Sequence, residues 1–416
     1  MIREETVNAR QLSRDDRMTK TSSVNEFIKR KVLGHLRLLE RGSVTVVDGG
    51  TRVSYGEADC GGPNAIIVVK HEDFYKTVFS RGSLGAAEAY MDGLWDTPDL
   101  LQVVRVFSAN LKMLSSMKLN KLFPSFVIEK ILHTLNDNSK NKSKKNISRH
   151  YDLGNNFFEL FLDPTMMYSS GIFKHPTESM FEASNNKLTE ICERLNLTEG
   201  EHVLEIGTGW GGFAVFAAKH YGCKVTTTTI SREQYDYTNA LIKREGLEDS
   251  IRLLFKDYRE LSGAYDKLVS IEMIEAVGHK HYKSYFSQCD RLLKEGGLML
   301  VQAITMPGQR YEQAKKSVDF IQKYIFPGGF LPSVEVVTEN LRRYTSMQLS
   351  ALSDLTHDYA LTLERWREAF NRNIDEVKAQ GFDDRFCRMW NYYLCYCEGG
   401  FRERIINTNH LLLIKP

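Results

Sequence analysis

After about residue 146 the chain alternates short apolar runs with helix-spaced segments, and no other feature limits its fold as tightly. The runs are "HVLEIG", "KVTTTTI", "IRLLFK", "DKLVSIEM" and "GLMLVQAI", with helical stretches beginning near Gly212, Arg232 and Tyr282. Strand and helix in regular succession predict a parallel sheet joined by right-handed crossovers. Ligands of such sheets sit beyond the carboxyl ends of the strands, at a switch point in strand order. The loops after residues 206, 230, 256, 272 and 304 are therefore the candidate site loops.

The first of these loops lies in "VLEIGTGWGGFAVF", where Gly207, Gly209 and Gly212 satisfy a dinucleotide spacing. A dinucleotide site also wants a carboxylate about 20 residues on, at the end of the second strand. That strand instead ends "TTTTISREQ", with Thr229, Ile230, Ser231 and Gln234. Glu205, two residues before Gly207, suits the ammonium of an amino-acid tail, and Gly207, Gly209 and Gly211 let backbone approach a ligand closely. After the third strand, Asp257 and Tyr258 pair an acid with an aromatic ring, as an adenine would require. In order on successive strands, these cues favour S-adenosylmethionine over a nicotinamide cofactor. The expected fold is α/β: a Rossmann-like class I S-adenosylmethionine-dependent methyltransferase domain, with a smaller α+β accessory domain at the amino terminus.

Residues 1–20 are polar and expected to be a disordered tail. An accessory domain is expected over 21–115, a basic linker over 116–145 and the catalytic domain over 146–416. In "VNEFIKRKVLGHLRLLERG", Ile28, Val32, Leu33, Leu36 and Leu39 fall near helical spacing among Lys29, Arg30, Lys31, Arg37 and Arg41. That pattern fits a domain's first helix with a solvated face, or a basic amphipathic helix on anionic lipid. Residues 43–79 read as short strands, and "SLGAAEAYMDGLWDTPDLLQVVRVF" as two helices, the second started by Asp96 or Thr97. Lys140, Lys142, Lys144, Lys145 and Arg149 make either a solvated linker or a polybasic lipid contact.

A net charge of +2 over 416 residues argues against bulk nucleic-acid binding. Seven cysteines with no CxxC pair suggest reduced thiols and a cytoplasmic protein. "AIIVV" and "LLLI" are too short to span a membrane and read as strands.

Five longer stretches carry a resemblance: "SRHYDLGNNFFELFLDPTMMYSSGIFK", "SIEMIEAVGH", "VDFIQKYIFPGGFLPS", "HDYALTLERW" and "YYLCYCEGGFR". In this order they resemble the cyclopropane-fatty-acyl-phospholipid synthase family, which includes mycolic-acid methyltransferases and plant-type members. The resemblance implies methyl transfer from S-adenosylmethionine to a cis double bond of a phospholipid acyl chain, through a carbocation that loses a proton as a cyclopropane ring closes. It implies bound bicarbonate as the base, held by Ser170, Glu275, Gln302, the backbone of Ile304, and Tyr359. Donor contacts carry over to Tyr168, Ser169, the 203–211 turn, Thr229 to Gln234, and Tyr258. It further implies a peripheral enzyme on the membrane surface, and a homodimer, since members are often dimers.

This chain has Ser170 and Gln302 where many bacterial members have Cys and His, as plant-type members do, and Ala276 departs from a common Glu-His pair. Gln keeps hydrogen-bonding capacity but cannot carry charge or shuttle a proton as His can. Cys397 matches a cysteine proposed as catalytic in the family, though a cysteine on an apolar helix face is commonly core. His279 and His281 could suggest a metal with Glu275, but two His and a Glu within seven residues prove little, and none is expected. Products other than a ring remain open: a methyl branch on the same olefin, or methylation of a small amine. A non-catalytic lipid-binding protein on the same fold is the reading from another class.

Overall fold

The computed structural model describes residues 23–58, 61–111, 113 and 153–416. Two compact units divide the chain, Met1–Ile128 and Glu129–Pro416. The tail over 1–20 and the linker with Lys140, Lys142, Lys144, Lys145 and Arg149 lie outside the described residues.

In the smaller unit, residues 23–36 form a helix whose Val32 and Leu36 are buried. Strands β1 (Ser43–Asp48) and β2 (Thr51–Gly56) pair antiparallel across Gly49 and Gly50. Both glycines have positive φ (54° and 84°), the geometry of a tight hairpin turn matched to strand twist. With β3 (Asn64–Val69) and β4 (Trp95–Asp96) the sheet order is β2-β1-β3-β4. The sequence expectation of strands to residue 79 fails at Asp73, where a helix runs to Met91. Its aromatic residues fit either pattern locally, but Leu84, Ala87, Tyr90 and Met91 bury one helical face. The next helix, Leu100–Ala109, is capped by Asp99, whose side chain accepts the Gln102 N–H, rather than by Asp96 or Thr97.

The larger unit holds a seven-stranded sheet in the order β10-β11-β9-β8-β5-β6-β7. Strands β5 (His202–Ile206), β6 (Lys224–Thr229), β7 (Ile251–Phe255), β8 (Tyr265–Ile271) and β9 (Leu293–Thr305) run parallel. Strands β10 (Gln348–Asp354) and β11 (Asn407–Ile414) add antiparallel beside β9. Alternation along β5 feeds two cores. Leu204 and Ile206 join Leu268, Val301 and Phe286, while Val203 joins Val225, Phe213 and Leu188. Strand order reverses beside β5, so the crevice expected of such a sheet opens between the carboxyl ends of β5 and β8. Among the described residues no helix is long and apolar enough to cross a membrane.

Candidate active site

The glycine turn leaves β5 with Gly207, Gly209 and Gly211 at φ 99°, 53° and 90°, a region open mainly to glycine. A Cβ on Gly211 would stand 2.8 Å from Thr238 Cγ2, whereas one on Gly209 would meet nothing within 4 Å. The turn is thus packed against its own fold at Gly211 and open at Gly209. Thr229 donates its hydroxyl to Gln234 Oε1 at 2.9 Å and accepts the Ser231 N–H, which shapes the loop around Ile230.

Two expected donor contacts are corrected. Glu205 is buried, accepts the Thr227 hydroxyl at 2.6 Å, and has its carboxyl pushed up to about 8 by burial. It faces its register neighbour on β6 and braces the turn from within the sheet rather than reaching for an ammonium. Asp257 is gripped by Arg259, through Nε at 2.8 Å and Nη2 at 2.7 Å, because it caps the short 3-10 turn Tyr258–Glu260. Its oxygens are therefore already engaged. Tyr258 is partly buried, its ring edge-on to Tyr285 at 5.6 Å.

The centre of the site is a residue that sequence reasoning passed over. Glu272, directly after β8, has a left-handed φ of 48°, a strained conformation for a side-chain-bearing residue. Its N–H donates to the Gln302 carbonyl at 2.8 Å, which aims the side chain into the crevice. Oε1 accepts the Ser170 backbone N–H at 2.9 Å and Gln302 Nε2 at 2.8 Å, and Oε2 accepts the Tyr359 hydroxyl at 2.7 Å. Three residues assigned by resemblance to a bicarbonate cage thus converge, but on a carboxylate of the chain itself. Their donors are committed to Glu272, so the arrangement does not fit a separately bound bicarbonate. Ser170 contributes its backbone N–H; its hydroxyl turns to the Gly171 carbonyl at 3.0 Å.

Glu275, the acid singled out from sequence, stands one step behind. Oε1 accepts the Ile304 N–H at 2.5 Å, while Oε2 is buried with no partner among the described residues. Burial, reinforced by the charge of Glu272, pushes its carboxyl up to about 8. Two carboxyls this close do not both ionise readily, and the better hydrogen-bonded one keeps the charge. Glu272 is also raised by burial, but Tyr359, Ser170, Lys187 and Gln302 pull it back. Of the two, Glu272 is therefore the better placed to carry the charge and Glu275 the better placed to keep a proton.

Surrounding elements lock this geometry. Lys187, fully buried on the helix Met180–Arg194, donates to Ser169 Oγ at 2.7 Å and lends positive charge to Glu272. The helix Thr356–Arg372 supplies Tyr359 and two clamps on the Ser170 segment: Thr362 Oγ1 accepts the Gly171 N–H, and Asp358 accepts the Phe173 N–H. Tyr168 shares a 2.9 Å hydroxyl hydrogen bond with Tyr393 and lies 5.2 Å from the Trp366 ring. Within "YIFPGGFLP", Phe330 donates its N–H to the Glu275 carbonyl at 2.8 Å, tying that loop to the site. Cys397, on the helix Asp384–Arg402, has its thiol pushed up by burial and by Asp319, the reverse of what an activated thiolate needs. His279 packs edge-on to Phe330 at 5.1 Å, and among the described residues no three His, Cys, Asp or Glu side chains gather as a metal site.

A parallel five-stranded core, a glycine turn after its central strand and two antiparallel strands at one edge define the class: an S-adenosylmethionine-dependent methyltransferase. The chain belongs to the mycolic acid cyclopropane synthetase family, whose profile matches residues 138–411. It is 34% identical over 367 residues to the tuberculostearic acid methyltransferase of Mycobacterium tuberculosis, covering 86% of this chain and 85% of that one. It is 38% identical over 352 residues to the cyclopropane-fatty-acyl-phospholipid synthase of Escherichia coli, covering 84% and 88%. Among solved structures, the mycolic acid cyclopropane synthase CmaA1 complexed with SAH and CTAB superposes at a TM-score of 0.61 and 30% identity, over 65% of this chain and 97% of that one. Coclaurine N-methyltransferase, at 19% identity and a TM-score of 0.61, shares the fold.

The open position at Gly209 leaves room for S-adenosylmethionine, and the crowded one at Gly211 fixes the turn against Thr238. Gly211→Ala is expected to weaken S-adenosylmethionine affinity at least about tenfold, because a Cβ there adds left-handed strain and a clash with Thr238. Calorimetric titration checks this; unchanged affinity would mean that the turn does not shape the donor site.

Proposed function

We propose that the protein transfers the methyl carbon of S-adenosylmethionine to a cis double bond of a phospholipid acyl chain and closes a cyclopropane ring, with Glu272 as the base. When bound, S-adenosylmethionine supplies an electrophilic methyl group on a sulfonium. Methyl addition leaves a cation on the acyl chain. Removing a proton from the new methyl group frees the electron pair that forms the third side of the ring. An anion is needed beside that carbon, both to stabilise the charge and to take the proton. The observation that carries the reading is the Glu272 carboxylate, held by three donors at the ends of β8 and β9. Around it, Tyr168, Tyr359, Trp366, Tyr393 and Phe401 form an aromatic wall suited to an acyl chain. The names of the two relatives, each referring to a fatty-acyl or fatty-acid product, support a lipid substrate.

The test is incubation with labelled S-adenosylmethionine and vesicles of cis-monounsaturated phospholipid, followed by mass spectrometry of the acyl chains. A ring is expected. Loss of a different proton, without ring closure, would leave a branched olefin of the same mass and identify the branching reaction instead. Mild hydrogenation before the spectrum tells that olefin from a ring by its gain of two hydrogens. Unlabelled chains would end the lipid reading.

The partner in this proposal is an anionic bilayer, met by a cytoplasmic enzyme resting on its surface. On the helix over 23–36 and the turn after it, Val24, Phe27 and Leu38 are 55%, 48% and 54% exposed. Arg30, Lys31, Arg37 and Arg41 are exposed beside them. Apolar anchors flanked by cations complement an anionic membrane surface. The variant Phe27→Glu with Leu38→Glu is expected to lower binding to anionic vesicles about tenfold or more in co-sedimentation. Equal binding would remove this face from the proposal, as would an effect on self-association alone.

A further inference from the structure

Gln302 raises a question of direction. An amide presents an oxygen and an NH2 of nearly the same shape, and only its neighbours decide which way it faces. If the carbonyl faced Glu272, oxygen would oppose carboxylate and the cage would lose a donor. His410 faces Gln302 from across the sheet. It lies on β11 in direct register with Gln302 on β9, and its Nε2 stands 2.9 Å from Gln302 Oε1. His410 is fully buried, and burial, with the positive charges of Arg194 and Lys187, pushes its imidazole down to about 3. The ring is therefore neutral and carries one N–H. Because Oε1 can only accept, that proton is on Nε2. Consistent with this, Nδ1 has no hydrogen-bond partner among the described residues, and the nearest acid, Glu190, is 3.9 Å away.

We propose that His410 is a positioning residue of the methyltransferase site: its Nε2–H fixes the Gln302 amide so that the NH2 group points at Glu272. A three-residue chain follows, His410 to Gln302 to Glu272, in which each member donates to the next. Histidine at position 302 could donate through a ring nitrogen without such help, but glutamine needs a neighbour to set its face. The second neighbour of Gln302 Nε2, the Ser170 carbonyl at 3.4 Å, is too distant to set it alone.

This inference rests on Glu272 being the anion of the site, and its test separates the two. His410→Leu keeps roughly the volume and removes the N–H; His410→Gln restores an amide N–H near the place of Nε2. His410→Leu is expected to lower kcat about tenfold to a hundredfold with the KM for S-adenosylmethionine unchanged, and His410→Gln to recover most of the loss. Recovery by Gln is the readout that a merely space-filling role would not give. Independently of any substrate, the drop in thermal midpoint caused by His410→Leu is expected to shrink in the Glu272→Gln background, where a turned amide no longer meets a charge. Equal losses in His410→Leu and His410→Gln, or a thermal drop of the same size in both backgrounds, would overturn the proposal. Persistent thermal coupling in a protein that labels no acyl chain would keep the positioning role and reject the proposed reaction.

Discussion

Glu272→Gln is expected to reduce kcat by about a thousandfold while binding S-adenosylmethionine as the unchanged protein does. The substitution keeps the shape of the side chain. Its carbonyl can still accept from Ser170 and Gln302, and its NH2 can donate to the Tyr359 oxygen, so the fold has no reason to yield. What disappears is the negative charge and the lone pair that takes the proton. Glu272→Gly extends the test. At φ 48° glycine fits more easily than glutamate, so the change relieves backbone strain while it empties the donor cage. Bicarbonate or formate, supplied at high concentration, is then expected to raise the turnover of that variant at least about tenfold, by placing an oxyanion among Ser170 N–H, Gln302 Nε2 and Tyr359 OH. Steady-state rates of acyl labelling measure both effects. Near-normal turnover in Glu272→Gln would remove this residue as the base.

Glu275→Gln is expected to behave in the opposite way, keeping turnover within about tenfold and gaining stability at alkaline pH. Glu275 ordinarily titrates at 4.5 and in the folded protein at about 8. Between those values the folded state holds a proton that the unfolded state has released, so rising pH favours unfolding. The loss begins near pH 4.5 and is complete above about 8. Glutamine mimics the protonated carboxyl at every pH and escapes it. The variant is thus expected to match the unchanged protein near pH 4 and to exceed it by up to roughly 5 kcal/mol at pH 9. Urea unfolding at the two pH values checks this. The same stability difference at both would show that Glu275 does not titrate as a buried acid.

These two outcomes divide roles that the sequence had assigned to one acid and a bicarbonate ion. Glu272 and Glu275 stand three residues apart in "SIEMIEAVGH", and helical spacing would put both on one face. Instead β8 ends at Ile271, Glu272 takes a left-handed turn, and the short helix starts only at Ile274. The backbone therefore aims Glu272 at Ser170 and Tyr359 and leaves Glu275 against the Ile304 N–H. A signal was present in the wording, since an acid directly after a parallel strand stands where ligands bind; its partners were not.

The sequence by itself determined the sheet. Apolar runs of strand length, helix-spaced intervals and a glycine turn after the first run leave few ways to bury both faces of each strand. The family resemblance, not the pattern of the runs, pointed to Ser170, Gln302 and Tyr359, which the structure gathers around one point. Local pattern also misled where two periods coincide, as at Asp73, where burial of a helical face outweighed a strand-like run of aromatics. Only the tertiary structure decided what the gathered donors hold, that Glu205 and Asp257 are spoken for by Thr227 and Arg259, and that His410 sets the face of Gln302 from 108 residues away. The reason is physical: periodicity reports which face of an element is buried, whereas the charge of a buried acid depends on donors brought from distant strands and helices.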